Sequence, residues 1–214
     1  MTARAAARLA RESRNWLAPF LDALSIAGPR ILELGSGEHY ADSAVLSERG
    51  FTLLACDRRP AHTTSLSVHA FAADISRPLP VRTAAVDTVL ASLSLHYFTW
   101  ATTVEIFAEI HRVLRPGGAL LFRVNAADDL NYGAGIGDEI EPGYFRSDGR
   151  YGAPCKRFFT EDTVRAALTD LFEVSHLEHR SSDRYGATKQ VWECLAHATS
   201  ATRGPGWSSN RKPA

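Results

Sequence analysis

Short, almost unbroken apolar runs alternate with helix-like stretches along the chain, and this alternation limits the fold more than any other feature. The first run, Arg30–Leu34, ends in a glycine-rich turn, and 41–49 has the pattern of a helix before the strand pattern resumes. The later strand-like runs lie at 51–56, 67–72, 86–92 and 119–124. Strands that are apolar on both faces and separated by helices are typical of a parallel sheet covered on both sides. The sequence therefore predicts an α/β fold.

The helix before the last of these strands has a clear apolar face. Its members are Val104, Phe107, Ile110, His111 and Leu114. A Pro-Gly-Gly turn at 116–118 ends the helical pattern before the strand begins. We expect this face to pack against the sheet.

Length, charge and cysteine content exclude several classes of protein. The chain has 214 residues, of which 45% are hydrophobic, and this suits one globular domain. Its 24 Lys+Arg balance 24 Asp+Glu, so the general attraction used by nucleic-acid and anionic-membrane binders is missing. No stretch reaches the roughly 18 consecutive apolar residues that cross a bilayer. Cys56, Cys155 and Cys194 are odd in number and far apart, which predicts free thiols and a cytoplasmic location.

The domain organisation follows from changes in pattern along the chain. We expect a single domain over 1–198, with an N-terminal helix in 1–28. The segment 125–156 is rich in Gly, Asp, Tyr and Pro without a sustained period, which predicts a lid or substrate loop. Its acidic residues favour a cationic acceptor, although loops are polar in general and the preference carries little weight. The residues 199–214 have the composition of a disordered tail.

The stretch Glu33-Leu34-Gly35-Ser36-Gly37 lies directly after a strand and before a helix. Glycines let a ligand approach the backbone, and a helix N-terminus offers unpaired N–H groups. A β-α-β unit returns Asp57 to the same rim of the sheet, where a carboxylate can accept from ribose hydroxyls. This order of elements predicts a nucleoside cofactor.

Two nucleoside cofactors compete for this arrangement. Dinucleotide-binding loops carry a third glycine where this chain has Tyr40, which weakens the dinucleotide interpretation. Arg58 and Arg59 suit a 2′-phosphate, so an NADP-dependent reductase remains an alternative.

Five segments between residues 30 and 124 form an ordered series: Ile31–Gly37, Ala55–Asp57, Ala73–Asp74, Val86–Phe98 and Glu109–Gly118. Together they resemble the motifs of class I S-adenosylmethionine (SAM)-dependent methyltransferases. The resemblance implies a Rossmann-like, seven-stranded, mostly parallel sheet with helices on both faces and an antiparallel C-terminal strand. It also implies that SAM is the cofactor. Two further strand-like runs, 172–177 and 190–196, agree with the hairpin that ends this fold.

The resemblance assigns a set of cofactor-binding residues. They are Glu33, Gly35, Ser36, Gly37, Asp57, Arg58, Asp74, Ile75, Ala91, Ser92 and His96. In this assignment Glu33 holds the methionine amino end, and His96 lies beside the methyl donor. Asp57 binds the ribose hydroxyls, and Asp74 accepts from the exocyclic amine of adenine, while Arg58 and Ile75 flank the adenine ring. The loop departs from the family pattern because Glu38-His39-Tyr40 replaces a third glycine and reads as one residue longer.

Methyl transfer from SAM displaces an already activated group, so placing the nucleophile and excluding water supply much of the catalysis. We expect no metal. A general base is needed only where the acceptor must lose a proton. His96, with an ordinary pKa of ~6.5, is the candidate base, and Tyr97 is the candidate for orienting the substrate. A role as pocket wall remains open for both.

The sequence thus predicts a SAM-dependent methyltransferase that acts on a small molecule. Zero net charge and the lack of a separate substrate domain favour this acceptor over RNA. The alternatives are the NADP-dependent reductase and a SAM-binding module without turnover. The acceptor atom and the oligomeric state are left open.

Overall fold

The structure is a computed structural model that describes residues 11–61, 67–149, 153–182 and 187–200. A seven-stranded sheet organises this part of the chain. The strands are β1 (Arg30–Leu34), β2 (Thr52–Asp57), β3 (Val68–Ala72), β4 (Val86–Ser92), β5 (Leu114–Asn125), β6 (Asp138–Glu141), β7 (Tyr144–Arg146), β8 (Cys155–Arg157), β9 (Phe172–Ser182) and β10 (Lys189–Ala198). The helices are α1 (11–17), α2 (Leu21–Ala27), α3 (Ala41–Ser47), α4 (Trp100–Val113) and α5 (Glu161–Leu168), with short 3₁₀ helices at Ala18–Phe20 and Leu130–Tyr132.

The strand order in the large sheet is β3-β2-β1-β4-β5-β10-β9. The first five strands pair in parallel. β10 runs antiparallel both to β5 and to β9. The predicted Rossmann-like sheet with an antiparallel C-terminal strand is therefore confirmed.

Both faces of this sheet are buried. Successive residues of a strand point to opposite faces, and in β4 Val89 and Ala91 belong to one hydrophobic cluster while Leu90 belongs to another. The first cluster includes Phe107 of α4 and Val164 of α5. The second cluster contains residues of α1, α2 and α3, so helices cover both sides.

The buried face of α4 differs from the predicted one. Val104 is exposed, and Leu114 already belongs to β5. The buried residues of the helix are Thr103, Ile106, Phe107, Glu109, Ile110 and Val113. Positions three and four apart share a helix face, so a stripe through 103, 106, 107 and 110 places residue 104 at its edge. Thr99 caps the helix, because its side chain accepts a hydrogen bond from the Thr102 backbone.

The segment 125–156 contains more regular structure than its composition suggests. β6, β7 and β8 form a small antiparallel sheet in the order β6-β7-β8. These strands are only three or four residues long, too short for an alternating pattern to stand out in the sequence.

Two predicted segments extend beyond the described residues, and two other predictions concern membrane spans and cysteines. Residues 1–10 of the predicted N-terminal helix and 201–214 of the predicted tail lie outside them. No helix within the described ranges combines the length and apolarity needed to span a membrane. Cys56, Cys155 and Cys194 are all free thiols.

Replacing Phe107 tests the buried face of α4. Phe107→Ala should lower the free energy of unfolding by about 3–5 kcal/mol, because removing the ring leaves a cavity at a side chain that is 1% exposed. Val104→Ala on the same helix is the matched control, and at 39% exposure it should cost no more than about 0.5 kcal/mol. Denaturant unfolding followed by circular dichroism measures both. Equal losses would mean that Val104 is buried, as the apolar pattern alone suggests.

Candidate functional site

Two adjoining cavities of about 410 and 550 Å³ lie where β1, β2 and β4 end. They share Gly35, Leu93 and Tyr97, so they form one continuous cleft. Apart from Ala91, every residue predicted to bind the cofactor or to act in catalysis lines one of the two cavities. Ala91 is fully buried within β4.

The glycine-rich loop after β1 is held against the end of β2. The backbone N–H groups of Gly35 and Ser36 both donate to the Cys56 carbonyl, at 2.7 and 3.1 Å. The Gly37 N–H donates to Oδ2 of Asp57 at 3.0 Å. Gly35 has a φ of +76°, and a Cβ at this position would lie 2.4 Å from Cβ of Ser94. A glycine is therefore required where the loop meets the segment after β4.

Tyr40 completes the loop where a dinucleotide-binding fold would have glycine. It takes the left-handed conformation, with a φ of +47°, directly before α3 begins. This conformation costs a non-glycine residue energy, which must be offset by other contacts. The Tyr40 ring is buried, and its hydroxyl donates to the Ala61 carbonyl beyond β2. Burial and this hydrogen bond thus accommodate the missing third glycine.

The buried carboxylate of Glu33 lines the first cavity. Glu33, at the end of β1, accepts a hydrogen bond from the hydroxyl of Ser43 on α3. Ser92, at the end of β4, accepts one from Nη2 of Arg123 at 2.7 Å. The Arg123 guanidinium carbon lies 4.1 Å from the ring centroid of Trp16. Helix α1 therefore supports this side of the cleft through Arg123.

The second cavity contains two carboxylates. Asp57 accepts from the loop at Oδ2 and from the Arg59 N–H at Oδ1, at 3.0 Å in each case. Asp74 accepts from the backbone N–H of Ser76 at 2.9 Å and from its hydroxyl at 2.7 Å. Burial acts to raise the pKa of Asp74, but the hydrogen bonds from Ser76 and the charges of Arg58 and Arg77 bring it below the ordinary value. Asp74 is therefore ionised at neutral pH and can accept hydrogen bonds.

The loop after β4 carries His96 and Tyr97 and is fixed from the side of the small sheet. His96 is 2% exposed, and its carbonyl accepts from the Arg157 N–H at 2.7 Å. Nε of Arg157 donates to the Phe98 carbonyl at 3.2 Å, and the Tyr144 hydroxyl donates to the Tyr97 carbonyl at 3.1 Å. Donors from β7 and β8 thus bind the backbone carbonyls of the loop and position it where the two cavities meet.

Among the residues of the first cavity that sequence reasoning missed are Lys156, Lys189 and Tyr132. Nζ of Lys189 donates to Oδ2 of the buried Asp129 at 2.7 Å. No motif contains these residues, which come from separate parts of the second half of the chain. The available signal was the rarity of lysine, which occurs at only three positions among 24 Lys+Arg.

Comparison with known proteins agrees with the fold and the glycine loop. A family model described as a methyltransferase domain matches residues 32–122. The malonyl-(acyl-carrier protein) O-methyltransferase of Methylovorus sp. (strain MP688) is 30% identical over 142 residues. This alignment covers 59% of the chain and 47% of the relative, so the chain spans about half the length of the curated protein it matches.

Solved structures share the architecture at low sequence identity. A SAM-dependent methyltransferase from Methanosarcina mazei superposes with a TM-score of 0.65 at 20% identity, over 79% of this chain and 92% of that chain. The 1,6-didemethyltoxoflavin-N1-methyltransferase of Burkholderia thailandensis, solved with 1,6-didemethyltoxoflavin and S-adenosylhomocysteine, gives 0.64 at 21% identity. That match covers 90% of this chain and 79% of the other. At such identities the likeness shows the fold alone.

The family match and the curated relative decide between the two nucleoside cofactors in favour of SAM over NADP. The chain matches a methyltransferase domain over residues 32–122, and the predicted resemblance to the class I SAM-dependent methyltransferases is confirmed.

Proposed function

We propose that the protein transfers the methyl group of SAM to a small-molecule acceptor. The observation that carries this proposal is the continuous cleft formed by cavities of about 410 and 550 Å³. Cavities of this size suit small ligands. The Burkholderia thailandensis neighbour, a 1,6-didemethyltoxoflavin-N1-methyltransferase, agrees with an acceptor of this class.

The side chains of the cleft fit SAM as the cofactor. In the second cavity Asp57 and Asp74 offer carboxylate oxygens to the ribose hydroxyls and the adenine amine, beside Arg58 and Ile75. In the first cavity Glu33 offers a buried carboxylate to the methionine amino group. When bound, SAM supplies a methyl group on a cationic sulfonium that is already activated for displacement. The chain then has to bind, orient and exclude water.

The loop at Gly35, Ser36 and Gly37 contributes mainly backbone to the proposed cofactor site. All three residues line the first cavity, and Ser92 faces the same space from β4. Because a Cβ at Gly35 would collide with Ser94, glycine lets the loop pack closely against the segment after β4. Ala91, buried below the cleft, supports Ser92 through β4.

We propose that His96 contacts the reacting groups as a neutral imidazole, with Tyr97 beside it to orient the acceptor. The two rings lie 4.2 Å apart between centroids. Burial lowers the pKa of His96 well below its ordinary value, and the positive charges of Lys189 and Lys156 lower it further. The imidazole is therefore uncharged at neutral pH. A low pKa also makes it a weak proton acceptor, which favours positioning over strong base catalysis.

We further propose a cytoplasmic location and no nucleic-acid partner. Three free thiols agree with a reducing compartment. A formal net charge of zero agrees with an uncharged or small partner rather than with a phosphate backbone.

Methyl transfer to a panel of acceptors tests the proposed function. The purified chain is incubated with methyl-labelled SAM and a thiol, a carboxylate, a phenol, an amine, a chalcogen oxyanion or tRNA, and products are identified by mass spectrometry. Labelled small-molecule product together with S-adenosylhomocysteine supports the proposal. Label in tRNA alone contradicts the acceptor class. Tight binding of SAM without any product favours the binding module that the sequence left open.

Asp57→Ala should weaken SAM binding by about 1–3 kcal/mol, because it removes hydrogen bonds to a charged group. The same change releases the Gly37 N–H, so the loop also loses a contact. Isothermal titration calorimetry with S-adenosylhomocysteine measures the effect. Asp22→Ala, at an exposed position of α2, is the control and should bind like the wild type. Unchanged affinity of Asp57→Ala would show that the ribose lies elsewhere.

The lowered pKa of His96 predicts how stability depends on pH. Below pH ~6.5 the unfolded chain takes up a proton at this histidine that the folded chain does not, so acid destabilises the fold. The free energy of unfolding should fall by up to about 1.4 kcal/mol per pH unit through this group. His96→Gln removes the effect, so the stability difference between wild type and variant should shrink between pH 7.5 and 5. Parallel curves from denaturant titrations would contradict a buried neutral His96.

A further inference from the structure

Lysine is rare in this chain, and its positions are not scattered. Lys156, Lys189 and Lys212 are the only lysines among 24 Lys+Arg. Within the described ranges, where Lys212 does not fall, both lysines line the same cavity as His96. An ammonium is a compact point charge with three donors, whereas a guanidinium is wide and flat. A chain that otherwise uses arginine thus places two ammonium groups at one end of its cleft.

Lys189 is built into the wall of the cavity. It opens β10 and is 4% exposed. Its Nζ donates to Oδ2 of Asp129 at 2.7 Å and lies 4.2 Å from the ring centroid of Tyr132. Oδ1 of Asp129 accepts from the Gln190 N–H at 3.0 Å, so this carboxylate is held in place on both oxygens. Asp129 therefore balances the charge of Lys189.

Lys156 brings a second ammonium group to the same space. It lies in β8 and is 9% exposed. Burial lowers its pKa, the charge of Lys189 lowers it further, and Asp129 acts in the opposite direction. Burial also lowers the pKa of Lys189. Both ammonium groups are thus held in a buried setting at the wall of one cavity, where each can donate to an oxygen of a bound anion.

The first cavity is acidic at one end and basic at the other. Glu33 and Asp42 line it beside β1 and α3, and Lys189 lines it at β10. The strand order β1-β4-β5-β10 separates these ends by three strand spacings, roughly 14 Å. The side chains proposed to bind SAM lie on the β1, β2 and β4 side of the cleft, together with the segment after β3. The lysines therefore lie on the side left for the acceptor, in the cavity that His96 also lines.

We propose that the acceptor is a small anion, and that Lys156 and Lys189 bind its negatively charged oxygen beside His96. This inference rests on the proposed methyl transfer and names its substrate class, for which a carboxylate is the simplest member. A lone pair of the acceptor oxygen forms the new C–O bond, and the electron pair of the broken C–S bond stays on sulfur. No proton moves, so the products are a methyl ester and S-adenosylhomocysteine. An anionic acceptor thus needs no general base, in agreement with a neutral His96.

Lysine-selective ¹³C labelling tests anion binding without turnover. The full chain contains three lysines, so the spectrum has three Cε signals, which Lys→Arg variants assign. The protein is saturated with S-adenosylhomocysteine and titrated with malonate, benzoate, inorganic phosphate, and the amides of the two carboxylates. Shifts of the Lys156 and Lys189 signals with an anion but not with its amide support the proposal, and the carboxylate and phosphate arms separate the two kinds of oxyanion. No response to any anion, or an equal response to the amides, overturns it.

Two variants then separate acceptor binding from cofactor binding. Lys156→Met should raise the KM of an anionic acceptor about tenfold or more, while the affinity for S-adenosylhomocysteine stays unchanged. Lys156→Arg keeps the charge and should recover part of the loss. Lys189→Met is made together with Asp129→Asn, so that no buried carboxylate is left without its partner. If these variants weaken S-adenosylhomocysteine binding by the same factor, the lysines bind the cofactor carboxylate and the proposal is wrong.

The two proposals can fail separately. Anion binding in the titration without methyl transfer to any acceptor contradicts the proposed function but supports the anion site. Methyl transfer to neutral acceptors only, unaffected by Lys156→Met, supports the proposed function and overturns the anion site.

Discussion

The buried guanidinium of Arg157 joins the small sheet of β6, β7 and β8 to the loop after β4 that carries His96. It donates to the carbonyls of Phe98 and Pro142, at 3.2 and 3.0 Å, and pairs with Glu141. Burial lowers its pKa to about 10, so the charge is kept at neutral pH. Removing one partner of such a buried pair is costly, because the other charge is then left uncompensated. The small sheet and the loop that carries His96 therefore hold each other in place. Lys156 precedes Arg157 in β8, so the same contacts also position Lys156.

Sequence patterns predicted the fold well wherever the determining contacts are local. β1 and β4 have the predicted bounds. The small sheet was missed because strands of three or four residues gain their order from pairing with one another rather than from their own pattern. Val104 was misplaced because an apolar residue at the edge of a helical stripe looks the same in sequence as one at its centre.

The residues of the cleft also differ in how far the sequence could predict them. Gly35 and Asp57 could be named in advance, because parallel strands end at one edge of the sheet, and Asp74 was assigned by the family resemblance. The lysines could not, because they lie in β8 and β10, which belong to different sheets, and only the folded chain brings them to one cavity. Of the acidic residues of 125–156, Asp129 pairs with Lys189 and Glu141 with Arg157.

The contact between Trp16 and Arg123 also bears on how the molecule assembles during synthesis. Arg123 lies in β5, far along the chain from α1, and its guanidinium both stacks on Trp16 and holds the Ser92 hydroxyl. Helix α1 leaves the ribosome early, but its docking surface is incomplete until β5 has been made. Nascent chains that end before β5 therefore lack the contacts of Arg123 that hold the β4 side of the cleft.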